Sequence, residues 1–326
     1  LMELCPFRVE KDGKTLHRNE YAWNKGESPA GVGFSYSNRT SDYKSSGDLR
    51  TAQDSYTFLV YWIQRFPEYK TREFFPAGES YVGYYVPQLA HTILQNNQHT
   101  NQTIINLKGI AWTHALTSDD IYTGLALNCD YSTLNLSSKV CLGFVDKAND
   151  AAGNMYTYDI YAPLCDSSST STYLICQAYV SAFHSCSKNY IHSYLNNPEV
   201  HKHFIQIGKV NRHWKDKPLT VLPIIKEVMD SGIRVWIYNG DTDGALPLSC
   251  SKYAINKLGM PIKTAWYTWY IHGEVGGYAV GYQNLTFVTV RGAGHSVPSY
   301  QQAWALVLFS SFLNGKLPPS ARGFNR

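Results

Sequence analysis

The sequence predicts an α/β protein whose central sheet is mostly parallel and flanked by helices. Short apolar runs end in glycine-bearing turns, and amphipathic helical patterns lie between them, which is typical of parallel strands joined by crossover helices. The 326 residues are 44% hydrophobic, so the chain has ample material for a large core. We expect a single domain, 1–326, with an insertion or cap at about 112–217, where periodicity is weak and five of the seven cysteines lie.

The first predicted elements surround a glycine-flanked serine. Residues 48–66 place apolar side chains at three- and four-residue steps, which predicts a helix, and Pro67 ends it. An apolar strand over 73–77, a sharp turn and a helix over about 84–95 follow. Pro76 lies inside that strand, where it removes a backbone N–H that a central strand needs.

Two further strands and two further helices are predicted towards the C terminus. Apolar runs at 233–238 and 285–290 predict strands that each end in a turn or glycine-rich loop. The patterns at 221–232 and 301–315 predict helices, and each of these stretches ends in a glycine that suits a helix C terminus. The alternation of the two kinds of element is what favours a parallel sheet over an antiparallel one.

The composition argues against several classes of protein. The net charge is only +4 and no block of like charges occurs, so we expect neither nucleic acid nor a membrane surface as a partner. No apolar run reaches about 18 residues, so a transmembrane helix is not expected. Zinc-ligand spacing is absent, and we expect no metal and no cofactor.

Cysteines and glycosylation motifs favour a secretory route. Four Asn-x-Ser/Thr motifs begin at Asn38, Asn101, Asn135 and Asn284, and these asparagines are candidate glycosylation sites. Together with seven cysteines, they favour export and disulfide bonds, whereas the alternative is a cytosolic protein with reduced cysteines. The odd cysteine count leaves at least one thiol free or unusually paired.

Three polar residues each follow one of the predicted strands. They are Ser80, Asp243 and His295, and the carboxyl ends of parallel strands are where catalytic groups collect in open α/β sheets. The order serine, aspartate, histidine is that of the α/β-hydrolase fold. The acidic stretch 240–244, which includes Asp241, raises a calcium loop as an alternative, but it lacks the twelve-residue oxygen spacing of an EF-hand.

These residue types fit nucleophilic catalysis. A serine hydroxyl such as that of Ser80 is a poor nucleophile until a base takes its proton, and His295 is a suitable base. A buried carboxylate, here Asp243, would fix the imidazole tautomer and stabilise the imidazolium. The residue after the nucleophile, Tyr81, would supply a backbone N–H to an oxyanion hole.

Long stretches of the chain resemble one known family. They include "ESPAGVGFSYSN", "GESYVGYYVPQLA", "DIYAPLC", "SGIRVWIYNGDTDG" and "LTFVTVRGAGHSVPSYQ". Nearly end to end, the sequence is similar to the serine carboxypeptidase family in its plant serine carboxypeptidase-like form. The resemblance implies an α/β-hydrolase fold with a disulfide-stapled helical insertion. It also implies removal of C-terminal residues from peptides at acid pH, in vacuoles, lysosomes or outside the cell.

The resemblance assigns roles residue by residue. Ser80 matches the family nucleophile, His295 its base and Asp243 the triad acid, while Asp241 looks more like part of the turn. Two glutamates, Glu79 and Glu27, match acids that help to bind the terminal carboxylate of the substrate. Two close carboxyls cannot both ionise cheaply, so one stays protonated and can donate a hydrogen bond to the substrate, which ties activity to acid pH.

The resemblance also concerns cysteines and missing segments. It implies the disulfides Cys129–Cys141 and Cys165–Cys186, and it offers no partner for Cys5, Cys176 or Cys250. Family members usually carry an earlier segment with Asn-Gly-Gly-Pro-Gly-Cys, whose glycine amide forms half of the oxyanion hole. This chain lacks that segment and several internal ones, including an apolar strand next to Gly26.

Three functions therefore remain open from the sequence. The first is a serine-type carboxypeptidase acting through an acyl-enzyme. The second is a related acyltransferase that uses glucose esters, and the third is a truncated relative without catalysis. The expected partner is a peptide or acyl-ester substrate, and the resemblance points to a homodimer as one expected state, since carboxypeptidases of this group are often dimers.

Overall fold

The structure is a computed structural model of the chain. It describes residues 7–9, 12–18, 37–113, 153–165, 185–201, 214–218 and 220–320, with isolated helical positions between 139 and 150. The chain divides into two compact units, each formed by two stretches: Leu1–Gly47 with Ala162–Asp216, and Asp48–Tyr161 with Lys217–Arg326. The single domain 1–326 with an insertion at about 112–217 stays a prediction.

Strands and helices of the described residues are numbered here in chain order. The strands are β1 (Phe7–Val9), β2 (Leu16–Arg18), β3 (Ala77–Gly78), β4 (Gly109–Thr113), β5 (Arg234–Gly240), β6 (Ile262–Ile271), β7 (Glu274–Tyr282) and β8 (Leu285–Val290). The helices are α1 (Thr40–Lys44), α2 (Asp48–Arg65), α3 (Val82–His99), α4 (Ser187–Leu195), α5 (Pro198–His201), α6 (Leu222–Asp230), α7 (Leu248–Lys257), α8 (Val297–Tyr300) and α9 (Gln302–Leu313). No helix among the described residues combines the length and the apolar character needed to cross a membrane.

The first unit contains a small antiparallel hairpin. Its strands β1 and β2 pair in the register Phe7↔Arg18. Gly13, at the turn, has a φ of 66°, and a side chain there would meet Ser193 of α4. The hairpin therefore packs closely on α4, which follows the disulfide-bonded Cys186.

The second unit is built on a six-stranded mixed sheet. The strand order is β3-β4-β5-β8-β7-β6. The first four strands in this order are parallel, β7 pairs antiparallel with β8, and β6 pairs antiparallel with β7. All residues of β4 and β8 are buried, as is expected for strands covered on both faces.

Helices cover both faces of this sheet. On one face, Ile237 of β5 lies in a buried cluster that includes residues of α3, α6 and α7. On the other face, Trp236 packs against Phe312 of α9, with ring centroids 5.7 Å apart. The alternation of Trp236 and Ile237 between the faces follows from the two-residue period of a strand. The carboxyl ends of the parallel strands remain as the edge on which loops can build a site.

Most predicted elements of the second unit are confirmed. The helix expected over 48–66 is α2, and a 3-10 turn, Pro67–Tyr69, follows it. The strand expected over 285–290 is β8, and the helix expected over about 84–95 is the longer α3. The prediction missed the antiparallel β6–β7 hairpin, whose strands are long and partly exposed.

Pro76 does not interrupt a central strand in the described part of the chain, so that expectation is wrong there. Among these residues, β3 is the end strand of the sheet. The pairing also shifts by one residue at the proline, from Phe74↔Leu107 to Ala77↔Ala111. Edge strands and register irregularities are the places where a sheet tolerates proline, because a missing N–H costs least there.

Candidate active site

The candidate nucleophile Ser80 lies on a sharp turn between β3 and α3. We call residues 78–82 the elbow. Ser80 has a φ of 60°, a left-handed conformation that is uncommon for residues other than glycine. Such strain persists only where the surrounding structure holds it, and it concentrates at functional sites. The elbow also places Ser80 at the N terminus of an 18-residue helix, where the helix dipole favours developing negative charge.

Close packing of strand and helix shapes the elbow. A Cβ atom added to Gly78 would meet Val82 Cγ1 at 2.5 Å and Val82 Cβ at 3.0 Å. Both distances are shorter than ordinary contacts between side chains. Position 78 must therefore be glycine as long as valine begins the helix.

Asp243 and His295 form a buried hydrogen-bonded pair. The distance from His295 Nδ1 to Asp243 Oδ2 is 2.9 Å, and their side chains are 4% and 0% exposed. The other carboxylate oxygen of Asp243 accepts the backbone N–H groups of Ala245, at 2.8 Å, and Leu246, at 3.2 Å. The carboxylate is thus fixed by its own turn while it orients the imidazole through Nδ1. That arrangement leaves Nε2 as the ring nitrogen suited to exchange a proton with a substrate or nucleophile.

A segment of residues 156–160 ties the two loops together. The N–H of His295 donates to the Tyr158 carbonyl at 2.8 Å, and the N–H of Gly244 donates to the Thr157 carbonyl at 3.0 Å. The ring of Tyr158 lies over the imidazole of His295, with centroids 4.8 Å apart. A Cβ atom on Gly294 would come within 2.2 Å of the Tyr158 carbonyl oxygen, so only glycine allows this approach.

Asp241, the other acid of the stretch 240–244, joins the same two loops. Its Oδ1 accepts the N–H of Gly292 at 2.7 Å. Burial raises the pKa of Asp241, and the hydrogen bond from Gly292 and the charge of Arg291 oppose that rise. This contact is consistent with a role in the turn. In the described residues no group of three or more metal-ligating side chains is found.

Sequence reasoning missed Asp48, which contacts the elbow from α2. Asp48 is fully buried, and its Oδ2 accepts the hydroxyl of Tyr81 at 3.0 Å. The pKa of Tyr85 rises to about 12, mainly through burial and further through the charge of Asp48. In the sequence, Asp48 has the ordinary pattern of an acid in the first turn of a helix. Only the tertiary contact, 33 residues along the chain, reveals its link to the residue after Ser80.

Of the two predicted carboxylate-binding acids, one is described. Glu79 is 8% exposed, directly before Ser80. Burial, and next the charge of Glu79, raise the pKa of Tyr238 well above its usual value. Glu27 lies outside the described residues. The roles of both glutamates stay predictions.

The remaining predicted residues have mixed outcomes. A disulfide joins Cys165 to Cys186, as the resemblance implied. Cys250 is of intermediate exposure. The other cysteines are Cys5, Cys129, Cys141 and Cys176, and they lie outside the described residues, as does the glycosylation candidate Asn135. The candidates Asn38, Asn101 and Asn284 are exposed.

The sheet brings the three candidate residues to one edge. Ser80 follows β3, Asp243 follows β5 and His295 follows β8, and these strands are parallel. A serine on a strained turn, with a buried histidine–carboxylate pair at the same edge, can support acyl transfer through a covalent intermediate. The fold and this arrangement define the α/β-hydrolase class.

Comparison with known proteins identifies the family within that class. The family model described as serine carboxypeptidase matches residues 1–123 and 110–315. In Arabidopsis thaliana, serine carboxypeptidase-like 40 is 45% identical over 362 residues, covering 99% of this chain and 71% of that protein. Serine carboxypeptidase 24 of the same plant is 40% identical, covering 97% of this chain and 78% of that protein. The chain therefore belongs to the serine carboxypeptidase family.

A solved structure supports the fold. The crystal structure of Kex1Δp, a prohormone-processing carboxypeptidase from Saccharomyces cerevisiae, matches with a TM-score of 0.61 at 22% identity. The match covers 97% of this chain and 81% of that chain. The alignment with serine carboxypeptidase-like 40 is longer than the 326 residues of this chain, so that relative carries internal residues that are missing here.

Proposed function

We propose that this protein is a serine-type carboxypeptidase that hydrolyses C-terminal peptide bonds through an acyl-enzyme. The observation that carries the proposal is the buried hydrogen bond from His295 to Asp243, at the sheet edge where Ser80 stands in a strained conformation. A buried pair of this kind has a clear chemical use in activating a serine. Membership of the serine carboxypeptidase family supports the substrate class.

In the first half of the reaction, Ser80 Oγ attacks the carbonyl carbon of the last peptide bond. Its proton passes to Nε2 of His295, and Asp243 stabilises the imidazolium that forms. The oxyanion develops beside the N terminus of α3, where the N–H of Tyr81 is the proposed donor. The imidazolium then returns the proton to the leaving amino group, and the C–N bond breaks.

In the second half, water replaces the amine. His295 takes a proton from water, and the hydroxide attacks the acyl carbon bound to Ser80. The ester bond breaks, the serine regains its proton, and the shortened peptide leaves with a new carboxylate. Water is the only co-reactant in this sequence.

Recognition of the substrate's terminal carboxylate is proposed for Glu79 and Glu27. A glutamate that donates a hydrogen bond to an anion must itself be protonated. Protonation of one member of a close acid pair is favoured as the pH falls, so activity is proposed to be highest at acid pH.

The experiment is to incubate the protein with a peptide that is blocked at its N terminus and to analyse the products as a function of pH. We expect release of the C-terminal amino acid at acid pH, and loss of about 10⁴-fold or more in kcat for Ser80→Ala. A parallel reaction contains an acyl glucose and an alcohol acceptor. Ester transfer without peptide hydrolysis would make the protein an acyltransferase. The absence of both reactions in a folded preparation would contradict the proposal that the protein is an enzyme.

A location in the secretory pathway, ending outside the cell or in a vacuole or lysosome, is proposed with this function. The disulfide Cys165–Cys186 and the exposed motifs at Asn38 and Asn101 support it, because both features are typical of exported proteins. Treatment of the native protein with an endoglycosidase tests it. A drop in mass is expected, and an unchanged mass together with free thiols at both cysteines would contradict it.

A further inference from the structure

We propose that Thr113 is a positioning residue for the nucleophile. Its hydroxyl oxygen accepts the backbone N–H of Ser80 and so holds the serine in its left-handed conformation. The catalytic part of this inference rests on the proposed role of Ser80 as nucleophile, while the structural part stands alone. Neither the family pattern of the sequence nor the triad assignment pointed to this residue.

The contact is short, partly buried and specific to the elbow. The distance from Ser80 N to Thr113 Oγ1 is 2.8 Å, and Thr113 is 0% exposed. Thr113 is the last residue of β4, the strand that pairs with β3 directly before the elbow. A buried N–H without an acceptor is costly, so this hydroxyl satisfies a group that the turn removes from the sheet.

A second hydroxyl holds the elbow from the same face of the sheet. Thr113 pairs directly with Tyr238 of β5, so both side chains leave the sheet on one side. The Tyr238 hydroxyl lies 3.3 Å from the carbonyl oxygen of Gly78, to which it donates. The two hydroxyls thus hold the peptide groups on either side of Glu79, one through a carbonyl and one through an N–H. Such paired support explains how Ser80 keeps a φ of 60° without being glycine.

The consequence for catalysis is a matter of geometry. A change of about 1 Å in the position of a reacting group costs on the order of a hundredfold in rate. Thr113 contacts the backbone N–H of Ser80. Loss of the Thr113 hydroxyl should therefore disturb the position of Ser80 more than the binding of substrate. The expected signature is a fall in kcat with little change in KM.

The test uses three variants of the full chain. Thr113→Val keeps the shape of the side chain and removes the hydroxyl, and Thr113→Ser keeps the hydroxyl and removes the methyl group. The matched control is Thr289→Val. Thr289 is also buried, at 3% exposure, and its hydroxyl accepts the N–H of Tyr278 at 2.9 Å, a bond of the same kind on another strand.

The first readout is hydrogen exchange of the Ser80 amide, which does not depend on activity. We expect Thr113→Val to speed exchange at Ser80 by about tenfold or more, since the amide loses its acceptor. Thr113→Ser and Thr289→Val should leave that amide protected. An unchanged exchange rate in Thr113→Val overturns the inference, whether or not the protein is an enzyme.

The second readout is the rate at which a small organophosphonate labels Ser80. We expect Thr113→Val to react about 10- to 100-fold more slowly than the wild type, with Thr113→Ser within about threefold of it. Thr289→Val should lose comparable stability but keep its labelling rate. If the wild type is labelled and Thr113→Val is labelled at the same rate, the inference is overturned while the proposed function stands. If the folded wild type is not labelled, the proposed function fails and the exchange result alone decides about Thr113.

Discussion

At the scale of single residues, the site depends on close backbone approaches. Gly78 has no room for a side chain because Val82 fills the space, and Gly294 has none because the Tyr158 carbonyl does. Gly78 lies two residues before Ser80, and Gly294 lies directly before His295. Ser80, in contrast, adopts a conformation that would suit glycine, and the side chains around it must hold it there.

Gly78→Ala tests the packing of the elbow. The new methyl group would lie 2.5 Å from Val82 Cγ1, so we expect β3 and α3 to move apart, kcat to fall by about 10- to 1,000-fold and stability to fall by about 1–3 kcal/mol. The double variant Gly78→Ala with Val82→Ala should recover part of both losses, because it removes the two nearest atoms. Enzyme assays and urea unfolding measure the effects, and a Gly78→Ala protein with unchanged kcat would contradict the packing argument.

Contacts of single residues also show which parts of the site could not be predicted from the sequence. The placement of Ser80, Asp243 and His295 at one edge of the sheet could be predicted because each follows an apolar strand in a characteristic chain order. Asp48 and Thr113 could not, since each contacts the elbow across 33 residues and neither lies in a recognisable motif. Their contacts depend on which strands and helices become neighbours, and local patterns do not determine that.

At the scale of elements, the loops after β5 and β8 behave as one connected structure. Carbonyl groups of the segment 156–160 accept hydrogen bonds from both loops, the N–H of Ile160 donates to the Thr242 carbonyl in the loop after β5, and Asp241 joins the two loops directly through Gly292. The hydrogen-bonded pair Asp243–His295 is therefore supported at several points besides its own contact.

Substitutions of Asp241 test this connection through the pH dependence of stability. Its pKa in the folded state is raised above the ordinary value of 3.8, so its carboxyl favours folding below that value and loses this contribution as the pH rises through the folded pKa. Asp241→Asn removes the ionisation and keeps an oxygen for the Gly292 N–H. We therefore expect the asparagine variant to gain stability relative to the wild type as the pH rises from about 3.5 to about 7.

Urea unfolding over that pH range measures the difference. Asp241→Ala serves as the control, because it removes the acceptor as well as the charge and should be less stable than the asparagine variant at every pH. A stability difference between wild type and Asp241→Asn that stays constant with pH would contradict the assignment of a raised pKa.

The elements themselves were predictable to different degrees. Buried parallel strands such as β8 follow directly from short apolar runs between turn signals. The β6–β7 hairpin could not be predicted in this way, because its strands are partly exposed and β7 contains glycines against which Trp269 packs. In the sequence, Pro76 argues against a central strand, whereas the described sheet places it beside a register shift in an end strand.

At the scale of the whole molecule, one buried and two partly buried tyrosines predict a loss of stability at high pH. The pKa values of Tyr85 and Tyr267 rise from 10.0 to about 12, mainly through burial, and that of Tyr238 rises well above 10.0. Unfolded tyrosines ionise at about 10, so the unfolded state loses protons first and stability should fall as the pH rises from about 10 to about 12.

The absorbance of tyrosinate, recorded together with circular dichroism over this pH range, measures tyrosine ionisation and unfolding in the same titration. We expect a group of tyrosines to ionise only together with unfolding, and Tyr267→Phe to remove one member of that group. Titration of every tyrosine near its ordinary pKa, with the fold intact, would contradict the burial of these hydroxyls.

We propose that Ser80 is a nucleophile activated by His295 and Asp243. The most direct measurement is mass spectrometry of the folded protein after reaction with a small organophosphonate, with peptide mapping of the adduct. We expect one adduct, on Ser80, that is absent in Ser80→Ala and forms orders of magnitude more slowly in His295→Ala and Asp243→Asn. An unlabelled Ser80 in a folded wild-type preparation, or an adduct that forms equally fast without His295, would contradict it.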